Sequence, residues 1–167
     1  MLWKVFAAAF VACLLAGVIA YATIRASLGP EPTPPVRLSH VGISVANFDE
    51  AVEFYTKKMG FRQAFSIPDA PGQPRAVYLQ VSRETFVELL EATPARPPGF
   101  VHVGFEVDDM NAAAARLKQE NVKVAPPRAG RTKATVAEVD VPDGVNVELL
   151  QFRPDSMQQQ AIDSSGK

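Results

Sequence analysis

Between residues 38 and 152 the apolar positions switch between a two-residue and a three-to-four-residue period, and the switches come in the same order twice. Residues 38–45 alternate and are rich in β-branched side chains, which predicts a strand. Phe48, Ala51, Val52, Tyr55 and Met59 then recur at helical spacing, with Asn47 placed to cap the helix and Gly60 to stop it. Residues 61–67, 75–81 and 85–91 read as three further strands, separated by a Pro/Gly-rich loop at 68–74 and a polar turn at Ser82-Arg83-Glu84.

The second pass repeats the plan. Residues 100–107 predict a strand, Asp108 an N-cap, and Met110, Ala113, Ala114 and Leu117 the apolar face of a helix that ends near Asn121. Strands are expected near 122–125, 132–140 and 145–152, the last two joined through Pro142-Asp143-Gly144. The expected fold is therefore α+β: two tandem βαβββ modules forming a cupped mixed sheet, linked through Ala95-Arg96-Pro97-Pro98-Gly99.

The repeat extends to residue identity. His40-Val41-Gly42-Ile43-Ser44-Val45 returns as His102-Val103-Gly104-Phe105-Glu106-Val107, and Val87-Glu88-Leu89-Leu90 returns as Val147-Glu148-Leu149-Leu150. Side chains alternate across a strand, so His40, Gly42 and Ser44 face one way while Val41, Ile43 and Val45 face the helix layer. Each module thus aims one imidazole and one carboxylate away from its helix. Four such groups would be costly to enclose without a partner, and imidazole with carboxylate suits a borderline divalent ion. His40, Glu88, His102 and Glu148 are the candidate metal ligands, and the two histidines are the only ones in the chain. Glu53, off its helix's apolar stripe, and Glu91, at a strand end, receive no site role.

The flanks differ in kind. Residues 5–24 carry no charge and span about the 20 residues a helix needs to cross a bilayer. Two readings stand: an uncleaved anchor with the domain outside the cytoplasm, favoured by the length of the run, or a signal peptide removed after Ala22, leaving a secreted or periplasmic domain. The expected organisation is a hydrophobic anchor or signal segment over 1–28, a Pro-rich linker over 29–36, the working domain over 37–152 and a disordered polar tail over 153–167.

Composition narrows the chemistry further. Seventeen basic residues against eighteen acidic ones give a net charge of −1, which leaves no electrostatic footprint for nucleic acid. The single cysteine, Cys13, excludes a disulfide framework and a thiolate cluster, so a metal must sit on N and O donors. Arg75, Arg131 and Lys133 are candidates to meet an anionic substrate at the cup rim, against the plainer reading as solvated surface charge.

These residues resemble the vicinal oxygen chelate superfamily, which includes glyoxalase I, methylmalonyl-CoA epimerase, extradiol dioxygenases and bleomycin-resistance proteins. The resemblance covers 38–152 and rests on the opening H-V-G-I-S-V-A-N-F-D-E-A-V-E-F-Y-T-K-K-M-G-F, on F-V-H-V-G-F-E-V-D-D-M and on V-P-D-G-V-N-V-E-L-L. It implies His40, Glu88, His102 and Glu148 as ligands of a divalent metal, Ni, Zn or Co, with Fe or Mn as further options. The four-ligand set is most similar to glyoxalase I. That implies a lyase or isomerase acting on a small α-oxygenated carbonyl compound through a metal-bound enediolate, with Glu148 as the base and Glu88 beside it. The alternatives in the same superfamily are an extradiol Fe(II) dioxygenase and a non-catalytic drug- or metabolite-binding protein. No segment at 68–74 or 96–99 matches a glutathione-binding part, so the substrate stays open. A homodimer is the expected assembly by analogy.

Overall fold

The alternating segment at the start of the repeat is strand β1 (Val36–Val45), and its Ile43 and Val45 pack with Phe48, Ala51, Val52 and Tyr55 of the helix that follows. The computed structural model describes residues 36–67, 71–142 and 144–165. The apolar segment 5–24 and most of the Pro-rich linker expected before the domain lie outside them. Among the described residues no helix is long and apolar enough to cross a membrane.

Asn47 caps helix α1 (Phe48–Glu53) by accepting from the Glu50 amide. The helix then widens into a π-helical turn over Phe54–Lys58. A cause is visible at Thr56, whose hydroxyl donates to the Val52 carbonyl at 2.7 Å, the acceptor its own amide would use in a regular helix. Gly60 ends the element at φ 77, which a β-carbon would disfavour. Strands β2 (Arg62–Ile67), β3 (Ala76–Gln80) and β4 (Phe86–Glu91) complete the first module.

The second module runs β5 (Gly99–Val107), α2 (Met110–Gln119), β6 (Arg128–Ala129), β7 (Thr135–Val139) and β8 (Val147–Gln151). All eight strands form one sheet in the order β2-β3-β4-β1-β5-β8-β7-β6. Each module pairs its first and last strands in parallel, and the antiparallel pair β1–β5 is the seam between modules. The helices cover one face: α1 packs over Val77, Leu79 and Leu89, and α2 over Val107, Ala137 and Leu149.

Four details depart from the sequence reading. The cap of α2 is Asp109, whose carboxylate accepts from the Asn111 and Ala112 amides at 2.8 and 3.0 Å, while Asp108 pairs with Arg37. No strand forms at 122–125, where only Val124 bridges to Val139; Pro126 and Pro127 follow and supply no amide donors. Strand β7 starts later than expected because Lys133 adopts φ 66 in a turn. The tail is not disordered over its described length: Met157–Ser164 form helix α3, capped by Ser156. Ala161 and Ile162 of α3 bury against Tyr78, Phe86 and Leu90 on the sheet face opposite α1 and α2. Ordering of that segment is driven by docked apolar area, which a Gln/Ser-rich composition conceals.

Candidate metal centre

The seam explains the H-x-G spacing of the repeat. His40 lies opposite Gly104 across β1–β5, and Gly42 lies opposite His102. Each imidazole occupies the space its partner glycine leaves: a β-carbon on Gly42 would stand 2.5 Å from His102 Cε1, and one on Gly104 would collide with the His40 ring. The sheet extends both rows outward. Glu88 on β4 is the parallel partner of Gly42, and Glu148 on β8 is the parallel partner of Gly104. Two rows result, Tyr78–Glu88–Gly42–His102 and Glu138–Glu148–Gly104–His40.

Three of the four expected ligands converge. His40 Nε2 and His102 Nε2 are 2.8 Å apart, Glu88 Oε2 is 3.0 Å from His102 Nε2, and it is 3.7 Å from His40 Nε2. Two donors at right angles on a cation at about 2.1 Å would be about 3.0 Å apart, so these separations and the N, N, O donor set fit a first-row divalent ion. The three residues are 1%, 6% and 5% exposed for His40, His102 and Glu88. Ser39 Oγ lies 3.2 Å from His40 Nδ1 and orients the ring so that Nε2 points inward.

Glu148 stands outside this cluster, half-buried on the wall of the same cavity. The rows show why the repeat is not symmetric here. Glu88 has Tyr78 as cross-strand neighbour, a buried phenol on the cavity wall that hydrogen-bonds to it. Glu148 has Glu138 instead, an exposed carboxylate engaged by Arg128 at 3.0 Å.

Electrostatics separate the groups. Burial pushes His40 down to about 4, with the Glu88 charge opposing and the His102 charge assisting, so His40 is neutral. Burial also acts against a charged His102, but the hydrogen bond and charge of Glu88 outweigh it and raise that imidazole above its usual value. His102 is therefore the more basic of the two imidazoles. Burial raises the Glu148 carboxyl, with His102 opposing and Glu88 assisting. Burial and the charges of Glu88 and Glu148 push the Tyr78 phenol well above its ordinary range.

The cluster lies at the floor of a cavity of about 550 Å³ whose lining includes the apolar Ile67, Leu90, Val101 and Val136 and the polar Arg96, Arg131 and Thr132. Of the cations expected at the rim, Arg131 lines the cavity, Lys133 is not among its lining residues, and Arg75 is engaged by Asp49 and Glu91 at 2.9 and 3.0 Å. The sequence reading missed Tyr78, Arg96 and Gln158. Tyr78 alternates in register with Ala76 and Gln80 on β3 and was findable by strand parity, whereas Gln158 had no signal because its burial depends on α3 docking.

A family model, that of the Glyoxalase/Bleomycin resistance protein/Dioxygenase superfamily, matches residues 37–149. The human mitochondrial methylmalonyl-CoA epimerase is 28% identical over 120 residues, 60% of this chain and 68% of that protein. A lactoylglutathione lyase of Neisseria meningitidis is 26% identical over 127 residues, 70% of this chain and 91% of that protein. Among solved structures, methylmalonyl-CoA epimerase from Mycobacterium tuberculosis superposes with a TM-score of 0.66 at 24% identity, covering 77% of this chain and 96% of that one. A variant of the Streptomyces coelicolor methylmalonyl-CoA epimerase in complex with 2-nitronate-propionyl-CoA gives 0.58 at 26% identity, covering 69% and 96%.

Proposed function

We propose that this chain, which belongs to the Glyoxalase/Bleomycin resistance protein/Dioxygenase superfamily, is a divalent-metal-dependent isomerase or lyase of glyoxalase type that moves a proton beside a carbonyl in a small α-oxygenated compound. One observation carries the reading: Nε2 of His40, Nε2 of His102 and Oε2 of Glu88 point at a common centre under a cavity of small-molecule size, with a second carboxylate, Glu148, beside them. An epimerase and a lyase among the relatives agree with it.

His40, His102 and Glu88 would hold the ion, Ni, Zn or Co, with Fe or Mn as further options. When bound, such an ion polarises a carbonyl and acidifies the adjacent C–H. The protein's own part is positional. Ser39 fixes the His40 ring and Tyr78 restrains Glu88, while Ile67, Leu90, Val101 and Val136 keep part of the cavity wall dry. Glu148 is the general base: its carboxyl is raised by burial, which moves its basicity toward neutral pH. It takes the proton from the substrate carbon and returns it to the same or the neighbouring carbon. All four residues come from one chain, so the cup needs none of them from a second copy.

Elemental analysis of the purified protein tests the reading directly. About one equivalent of Ni, Zn or Co per chain, lost in Glu88→Ala, is expected. Background metal alone would sink it in favour of a non-catalytic binding protein. A second reading is favoured by the cluster's composition, since two histidines and one carboxylate make the facial triad of Fe(II) oxygenases. Oxygen uptake with a catechol, in place of solvent-proton exchange, would select it.

A further inference from the structure

The link between the modules is more tightly built than a connector requires. Thr93 and Arg96 exchange backbone hydrogen bonds at 3.0 Å in both directions, and Thr93 Oγ1 also accepts from the Arg96 amide at 3.2 Å. Ser44 Oγ donates to the Arg96 carbonyl at 3.1 Å. Ser44 is the buried residue two places beyond Gly42 on the cup face of β1, so the Arg96 backbone is fixed to the strand that carries His40. Pro97 and Pro98 follow and narrow the freedom of the chain further.

Among the described residues Arg96 has no partner for its charge. Its side chain lines the cavity, its Nε is shielded from water and has no hydrogen-bond acceptor, and among the described residues its guanidinium makes no ion pair. Two other arginines are occupied: Arg75 by Asp49 and Glu91, and Arg128 by Glu138. Glu88 and Glu148 line the same cavity, yet neither pairs with Arg96. Arg96 is half-buried, with only its Nε shielded, so a ligand acceptor in the cavity would meet its outer nitrogens where they are partly desolvated.

We propose that Arg96 receives a carboxylate borne by the substrate, at a point separate from the α-oxygenated carbonyl end. The two Nη groups of a guanidinium carry side-by-side N–H donors that face the cavity here and match the two oxygens of a carboxylate end-on. The substrate is then an α-oxygenated carbonyl compound that is also a carboxylic acid. For its other end the inference rests on the metal-dependent reading above.

The test titrates the metal-loaded full chain with hydroxamates that share one pair of vicinal oxygens: acetohydroxamate, and the monohydroxamates of malonic, succinic and glutaric acids. At least one acid-bearing member is expected to bind roughly tenfold or more tightly than acetohydroxamate, and Arg96→Gln to cancel that advantage. Equal binding throughout, or an advantage that survives Arg96→Gln, overturns the proposal. Failure of acetohydroxamate itself to bind counts against the metal reading alone. Arg96 is then judged in the metal-free full chain by the 15N NMR signal of its Nε–Hε pair, assigned by its loss in Arg96→Lys. Glutarate is expected to shift that signal. No shift, or an equal shift with inorganic phosphate, overturns the carboxylate assignment.

Discussion

Gly42 and His102 are cross-strand partners on the seam between the modules, and the imidazole fills the space where a glycine side chain is missing. Gly42→Ala is therefore expected to expel the His102 ring from the centre. The fold should survive with a loss of about 1–3 kcal/mol from overpacking, while metal affinity falls at least roughly tenfold. Calorimetric titration with Co(II) or Zn(II), beside a urea melt, reads both; unchanged affinity would show that the ring tolerates the methyl.

The two glutamates are expected to separate. Glu88→Gln should weaken metal binding by roughly tenfold or more, because Glu88 supplies one of the three converging donors. Glu148→Gln should retain the metal and lose deuterium incorporation at the substrate carbon from heavy water. Equal metal loss in both variants would restore the four-ligand set that the repeat suggests.

Metal binding should compete with protons at one histidine only. His102 is raised, so it keeps its proton at and somewhat above the ordinary 6.5 and must release it to ligate; His40, held at about 4, is already neutral near pH 7. Affinity is therefore expected to weaken as pH falls through this region, by about tenfold per unit once His102 is protonated. Calorimetry in two buffers of different ionisation enthalpy should report the release of about one proton near pH 6.5. Release of two would contradict the neutral state of His40.

Helix α3 should be separable from the chemistry. Ile162 packs in the cluster with Tyr78, Phe86 and Leu90, and Ile162→Ala is expected to cost about 2–4 kcal/mol in a denaturant melt while metal content is retained. Gln158 is different: it is 0% exposed and donates to Thr132 Oγ1 at 2.9 Å, and its amide also acts on the Tyr78 phenol. Gln158→Leu should cost about 1–3 kcal/mol, since it strands buried polar partners. If Ile162→Ala left stability unchanged, the docking of α3 would be in error.

Much of this architecture was legible because the repeat states it twice. Strand parity put His40, Gly42, His102 and Gly104 on one face, and the V-E-L-L echo put Glu88 and Glu148 there too. Parity says which face a side chain takes and nothing of its lateral neighbour. The difference between Glu88 and Glu148 comes from Tyr78 on one side and Glu138 on the other, a matter of strand pairing between segments far apart in sequence. The same holds for Gln158, whose polarity argued for solvent until Thr132 gave it a partner. Asp108 and Asp109 are adjacent and chemically identical caps, and the choice between them was settled by Arg37, a residue of the other module.

The reciprocal contacts at the seam, His40 on Gly104 and His102 on Gly42, obey the rule of an isologous interface, in which one residue meets another and the second meets the first in return. One module bearing a single His-x-Gly strand, set against its own copy, would make both contacts. The pairing of imidazoles thus needs only one module's sequence used twice, and the two-fold relation ends where Tyr78 stands in one module and Glu138 in the other.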